Sequence, residues 1–330
     1  MKKIVSFVLF VLLIAIGVIV FRTLTAPDLQ TKIKANPSPA LSDAALRHFQ
    51  QAIQFQTVSY DVASLWDSVP FLEFRNFLET TYPLVHKTLT REIVSGYSYL
   101  YKWEGKDKSL HPYILMAHQD VVPIEETTKN MWTCNPFGGT VKDGYIWGRG
   151  TTDDKINLIS IMEATEKLLS ENYQPERTVY FVFGHDEEIS GKKGAVQIAA
   201  LLQSRNVKAD LIMDEGGFVT REKVPGLKKP VALIATAEKG YMTLDLSVTK
   251  KGGHSSMPER ETAIDILLKA IVQLRSNPFD ARFVESTQDF MKFIGPNMGF
   301  PNNMAMANAG LFKNLIVSNY EKSGSGNAMI

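Results

Sequence analysis

The chain opens on a block with no polar alternation. From Ile4 to Phe21, eighteen residues carry no charge, and only Ser6 and Gly17 interrupt the apolar run. As a helix rising 1.5 Å per residue, such a run spans roughly 27 Å, close to the thickness of a bilayer core. Lys2 and Lys3 precede it, so the positive-inside rule keeps them in the cytoplasm and exports the remainder. The run ends in Phe21-Arg22-Thr23-Leu24, which lacks the small-x-small pattern of a signal cleavage site. Residues 1–24 therefore read as a retained transmembrane anchor, with a cleaved signal and a secreted protein as the alternative. The expected location of the remainder is periplasmic or otherwise extracytoplasmic. Residues 25–41, with Pro27, Pro37 and Pro39, read as a linker.

Helical periodicity resumes at Leu46, Phe49 and Ile53, with Ser42 placed to cap the helix, and a second helical stretch covers 71–78. Short apolar runs at Tyr113–Ala117, Thr178–Phe183 and Asp210–Met213 read as buried strands. Helical patterns at 156–169 and 194–203 lie between them. Strand–helix alternation predicts an α/β fold, with a mostly parallel sheet sandwiched by helices. The pattern changes near Gly240. Met242, Leu244, Leu246 and Val248 alternate with Thr243, Asp245, Ser247 and Thr249, which predicts a strand with one wet face. A helix should follow, with Ile264, Leu267, Leu268, Ile271 and Leu274 on one stripe. The last thirty residues show no clear element. The expected organisation is a catalytic domain over 42–239 and a smaller α+β unit over 240–330.

Composition narrows the function. With 330 residues, 45 % of them apolar and 22 % charged, the chain is ordinary globular material and long enough for two folded units. Thirty-six basic against thirty-five acidic residues leave +1, which gives no support to nucleic-acid binding. The single cysteine, Cys134, excludes an intrachain disulfide and a cysteine-cluster zinc site.

Four clusters fall at or just after predicted strand ends, where open α/β sheets build their sites. Ala117-His118-Gln119-Asp120 holds a His–x–Asp pair, whose aspartate can orient an imidazole that binds a metal. A core histidine satisfied by a carboxylate explains that pair equally well. Gly148-Arg149-Gly150-Thr151-Thr152-Asp153-Asp154-Lys155 opens a helix, so its carboxylates either cap that helix or bridge cations. Gly184-His185-Asp186-Glu187-Glu188 is either a solvated turn or a metal ligand beside a base. Asp214-Glu215-Gly216-Gly217 is either a surface turn or a further ligand. Taken together, four converging acidic clusters carry too much negative charge to leave uncompensated, and divalent cations resolve that. Histidine and carboxylate donors suit zinc.

These motifs, with Gly252-Gly253-His254-Ser255-Ser256, resemble in order and spacing the dizinc metallopeptidases of the aminoacylase, carboxypeptidase S and succinyl-diaminopimelate desuccinylase group. The likeness covers the chain from about Leu46 onward. It is greatest to carboxypeptidase S and the secreted N-fatty-acyl amino acid hydrolases. The resemblance implies zinc-dependent hydrolysis of an amide or peptide bond in a peptidyl or N-acyl amino acid. It implies two zinc ions per subunit. His118, Asp153 and Asp214 would hold one, and the bridging Asp153 with Glu188 the other, with Glu215 competing for the place of Asp214. Asp120 would orient His118, and Glu187 would be the general base. His254 would hold the oxyanion from an inserted lid domain at residues 240–330, which also mediates a homodimer. The Asp153–Asp154 peptide is expected to be cis.

One departure is serious. The family carries a further histidine that completes the second zinc, and this sequence has none after His254. The second site is therefore expected to be incomplete, and the chain to be a C-terminally truncated member whose inserted domain is unfinished. A catalytically impaired homologue acting as a binding protein is the alternative function. A membrane-anchored scaffold whose acidic clusters are surface turns is the third.

Overall fold

The computed structural model describes residues 1–330 except 33, 35–39, 225, 241, 255, 258 and 328–330. Pro37, Pro39 and Ser255, which the sequence reading used, lie outside the described residues. Contacts divide the chain into two units, Asn36–Glu215 and the combination of Met1–Ala35 with Gly216–Ile330.

In the first unit, a five-stranded sheet is ordered β1-β2-β6-β3-β7. Its strands are β1 Thr90–Val94, β2 Ser98–Trp103, β3 Tyr113–His118, β6 Val179–Gly184 and β7 Leu211–Met213; a separate hairpin pairs β4 Thr140–Lys142 with β5 Tyr145–Trp147. β6, β3 and β7 run parallel, as the strand–helix alternation predicts. β1 and β2 add an antiparallel edge that the sequence reading did not find. The reason is visible in β2: its side chains are nearly all buried, so Ser98-Tyr99-Leu100-Tyr101-Lys102-Trp103 shows no polar alternation to read.

Alternation within the strands sorts the core onto two faces. Tyr99, Tyr101, Phe181 and Phe183 point to one side, where they meet Phe49 and Ile53 of α2 (Asp43–Gln54), Phe74 and Leu78 of α3 (Val69–Thr81), Val85 of α4 (Pro83–Thr88), and Leu158 and Met162 of α5 (Lys155–Ser170). Leu100, Tyr180, Val182 and Ile114 point to the other, where Ile198 and Leu202 of α6 (Ala195–Ser204) cover them. Period two in the strands and 3.6 in the helices place every one of these residues. Ser42 caps α2 as expected, accepting from the Ala45 amide. Two glycines let the loop before α5 close tightly. A Cβ on Gly148 would sit 2.4 Å from Ile53 Cγ2, and Gly150 has φ +87°, a backbone conformation that favours glycine.

The second unit begins with α1, Lys2–Thr25, which is long and apolar enough to cross a membrane. The division at Gly216 falls upstream of the expected boundary at Gly240. Residues between them pair β8 (Val219–Thr220) with β9 (Val231–Ala232), and the Gly299 amide donates to Gly226 O. The strand expected at 242–248 does not form. No strand pairs with it among the described residues, and Met242 and Leu244 are 70 % and 61 % exposed, so the alternation has no ladder to join. The expected helix does form as α7, Ala263–Ser276, started by a capping box between Thr262 and Asp265. Its stripe stays open, with Ile264, Leu268, Ile271 and Leu274 all exposed. α8 (Glu285–Ile294) follows, and the last thirty residues, read as without a clear element, contain α9 (Asn302–Ala307) and α10 (Lys313–Tyr320). Helices of six and eight residues are too short for periodicity to reveal.

Candidate metal centre

Three adjacent parallel strands end on the same edge, and each delivers acidic or imidazole groups there. β3 ends in His118, β6 leads through Gly184 to Glu187 and Glu188, and β7 leads to Glu215. The loop before α5 adds Asp153, across an Asp153–Asp154 peptide that is cis as expected.

His118 is 3 % exposed and sits at the centre. Its Nδ1 lies 3.0 Å from Asp120 O, a carbonyl that can only accept, so Nδ1 carries the hydrogen. Nε2 is then left facing carboxylates. Asp153 Oδ1 lies 2.8 Å from it, Glu215 Oε1 3.5 Å and Glu187 Oε2 3.8 Å. Burial works against charge on the ring, but the Asp120 and Glu215 carboxylates outweigh it and push the imidazolium up to about 12. Burial, reinforced by Asp153, pushes the Glu188 carboxyl up to about 7. Burial also raises Glu187, with Glu215, Asp120 and Asp153 adding to it. One imidazolium is too little positive charge for this many carboxylates.

The donor set fits a divalent cation. Ligand atoms of His118, Glu187 and Glu215 lie within 4.8 Å of one another, and so do those of His118, Asp153 and Glu188. Both groups draw on the same histidine. Glu215, the competing choice, is the carboxylate brought to His118. Asp214, the preferred one, is exposed and accepts from the Glu215 amide at Oδ1, outside both groups. The chain bends at Glu215 just past the end of β7, and of the pair only Glu215 is in a ligand group.

Asp120 organises the site from behind. It is fully buried, and its Oδ1 accepts from the Glu187 amide at 3.1 Å. Its Oδ2 accepts from the Glu188 amide at 3.1 Å and from Ser59 Oγ at 2.6 Å. Burial opposes its charge, yet the bonds from His118 and Ser59 hold its pKa below the usual carboxylate range. Asp120 thus orients the imidazole through its carbonyl, with Oδ1 3.3 Å from Nδ1, and holds the backbone of both glutamates through its carboxylate.

Sequence reasoning missed Ser59, which lies in an unpatterned loop with no signal to mark it. It also left Asp154 and Lys155 without roles. Asp154 is buried and accepts from the His118 amide, and burial with Glu215 pushes its carboxyl up to about 7. Lys155 is buried too, and its Nζ donates to Ala52 O and Phe55 O at the end of α2. A lysine directly after two aspartates reads as a surface charge, so only packing reveals it. His254 belongs to the second unit, where its exposed ring accepts from the Ser256 amide.

Residues 114–314 match the family described as peptidase family M20/M25/M40. Probable carboxypeptidase S-like 2 of Dictyostelium discoideum is 41 % identical over 281 residues, covering 84 % of this chain and 54 % of that protein. The N-fatty-acyl-amino acid synthase/hydrolase PM20D1 of Xenopus tropicalis is 39 % identical over 329 residues, 97 % of this chain and 63 % of that one. Carboxypeptidase S of Saccharomyces cerevisiae is 37 % identical over 255 residues, 74 % and 44 % respectively. The chain thus spans about half the length of these relatives. Among solved structures, an M20 family metallo-carboxypeptidase from Sulfolobus solfataricus aligns at TM-score 0.42 and 22 % identity, over 53 % of this chain and 38 % of that one.

Proposed function

The chain belongs to the peptidase family M20/M25/M40, and from that premise we propose that it hydrolyses the amide bond of a peptidyl or N-acyl amino acid at a zinc centre. The observation that carries this is His118 Nε2, turned toward Asp153, Glu187 and Glu215 by the hydrogen bond at its other nitrogen.

His118, Asp153, Glu188 and a carboxylate of the 214–215 pair would hold the metal. When bound, zinc lowers the pKa of water and polarises the scissile carbonyl. The protein's own residues do the rest. Asp120 fixes the ring of His118 and, through two amide bonds, the backbone of Glu187 and Glu188. Glu187, half exposed at the cluster edge, takes the proton from the attacking water and returns it to the leaving amine. Burial and neighbouring carboxylates raise its pKa, which brings it closer to the range where a base both accepts and releases a proton. His254 supplies an oxyanion donor, and residues 240–330 form a lid that pairs with a second copy. The N-terminal helix retains the protein in the membrane with the catalytic unit outside the cytoplasm.

A second reading has one observation in its favour: among the described residues both ligand groups share His118, so a metal there would have a single imidazole. It makes the chain a binding protein of the same fold. Metal analysis and hydrolysis of a panel of N-acyl amino acids and peptides separate the two. His118→Ala should remove bound metal. Glu187→Gln should retain metal and lose turnover. Full turnover by Glu187→Gln would overturn the assignment of the base, and a metal-bound chain inactive on the whole panel would favour the binding protein.

A further inference from the structure

We propose that the connection between α9 and α10, led by Leu311, is a second membrane contact that seats in the outer leaflet beside the anchor. The inference rests on the reading of α1 as a retained transmembrane helix.

Within the second unit, α1 is held by the tail. Asn308, 2 % exposed at the end of α9, points its amide nitrogen at Ile19 O (3.3 Å), Thr23 Oγ1 (3.2 Å) and Met304 O (3.0 Å). Thr23 Oγ1 also donates to Ile19 O at 2.7 Å. Further out, Asn297 Nδ2 donates to Asp28 Oδ1 at 3.1 Å, and Gln30 Nε2 to Phe293 O at 2.7 Å. The tail therefore meets the anchor twice, once beyond its end and once on its last turns.

Depth follows from the sequence of α1. The apolar run ends at Phe21, so Ile19 lies two residues inside it, roughly 3 Å at the helical rise. Asn308 is thus level with the outer edge of the hydrocarbon. The Leu311 amide donates to Asn308 O at 2.9 Å, which keeps the turn at that level. Leu311 is 65 % exposed, and Leu315, early in α10, is 64 % exposed. Large apolar side chains held at this depth meet acyl chains, and embedding them in the boundary region removes apolar surface from water. Lys313 between them and Arg22 on the anchor are exposed cations suited to lipid phosphates. An amide bonded to the backbone of α1 at this depth has little water to exchange with, which keeps the tail docked.

The test uses the full chain in phosphatidylcholine–phosphatidylglycerol liposomes, with Cys134→Ser removing the native thiol. An environment-sensitive fluorophore is placed at Leu311→Cys, Leu315→Cys or Leu12→Cys, and quenched either by aqueous iodide or by lipids spin-labelled near the head group or deep in the chain. The expected result is blue-shifted emission at 311 and 315, lost iodide quenching, and quenching by the shallow spin label. Leu12 should be quenched by the deep label. Lipid quenching at 12 with iodide quenching at 311 and 315 would overturn the membrane contact alone. Iodide quenching at all three, or loss of the Leu12 label with a cleaved peptide, would overturn the anchor and the contact together.

Discussion

Replacing Asp120 by asparagine tests whether one buried carboxylate organises the metal centre. Asp120 accepts from the Glu187 amide at one oxygen, and from the Glu188 amide and Ser59 Oγ at the other. Asparagine keeps one oxygen and turns the other into a donor. With the NH2 on the Oδ2 side, the Ser59 hydroxyl can rotate to accept, but the Glu188 amide loses its partner. With the NH2 on the Oδ1 side, the Glu187 amide does. One part-buried N–H, facing the fully buried side chain at 120, is orphaned in either orientation. That costs about 1–3 kcal/mol, and the surviving bonds lose the extra strength of a charged acceptor. The expected destabilisation is about 2–4 kcal/mol. For a folding unit of this size that lowers Tm by roughly 5–15 °C. Ser59→Ala removes a single bond and leaves both amides satisfied, so it should cost only about 1–2 kcal/mol. Urea unfolding of both variants, in detergent with a chelator present, measures this without contribution from metal affinity. An Asp120→Asn protein within about 0.5 kcal/mol of the parent, or no less stable than Ser59→Ala, would refute the argument.

Other outcomes follow from the same geometry. Gly150→Ala meets both a left-handed φ and Val121 Cγ1 at 3.0 Å, whereas Gly144, at φ +80° with nothing within 4 Å, meets only the first. The alanine at 144 should cost about 1–2 kcal/mol and the one at 150 measurably more, as read by urea midpoints. Lys155→Met leaves the carbonyls of Ala52 and Phe55 without their donor, an expected loss of about 2–4 kcal/mol in the same assay. Burial lowers the pKa of His86, whose ring donates to Tyr82 O and accepts from Tyr101 OH. The folded state thus prefers the neutral ring, and its stabilising effect is complete above the unfolded pKa of about 6.5 and lost as pH falls below that value toward the depressed folded pKa. His86→Gln should flatten that loss in stability measured between pH 7 and 5; an unchanged profile would show that His86 does not contribute it.

β3 and β6 and their covering helices were legible because burial imposes short apolar runs between helical stripes; β7 forms where its run predicts but, as the outer strand, leaves Leu211, Ile212 and Met213 exposed rather than buried. Tyr113–His118 and Val179–Gly184 form within a residue of where those runs place them. His118 and the acidic clusters were legible because charged groups directly after apolar strands have few structural uses. What sequence could not decide depends on neighbours distant along the chain. Asp214 and Glu215 are adjacent and chemically alike, and only the register of β7 beside β3 turns Glu215 toward His118. The alternation at 242–248 is as regular as any strand signal, yet with no paired strand among the described residues it stays irregular, because a ladder needs two partners. Ser59 and Lys155 carry no local pattern at all. Their roles arise where loop 57–59 meets Asp120 and where the start of α5 meets the end of α2. Hydrophobic periodicity is a property of one segment and survives in sequence. Hydrogen-bond partnership between segments exists only once the chain has packed.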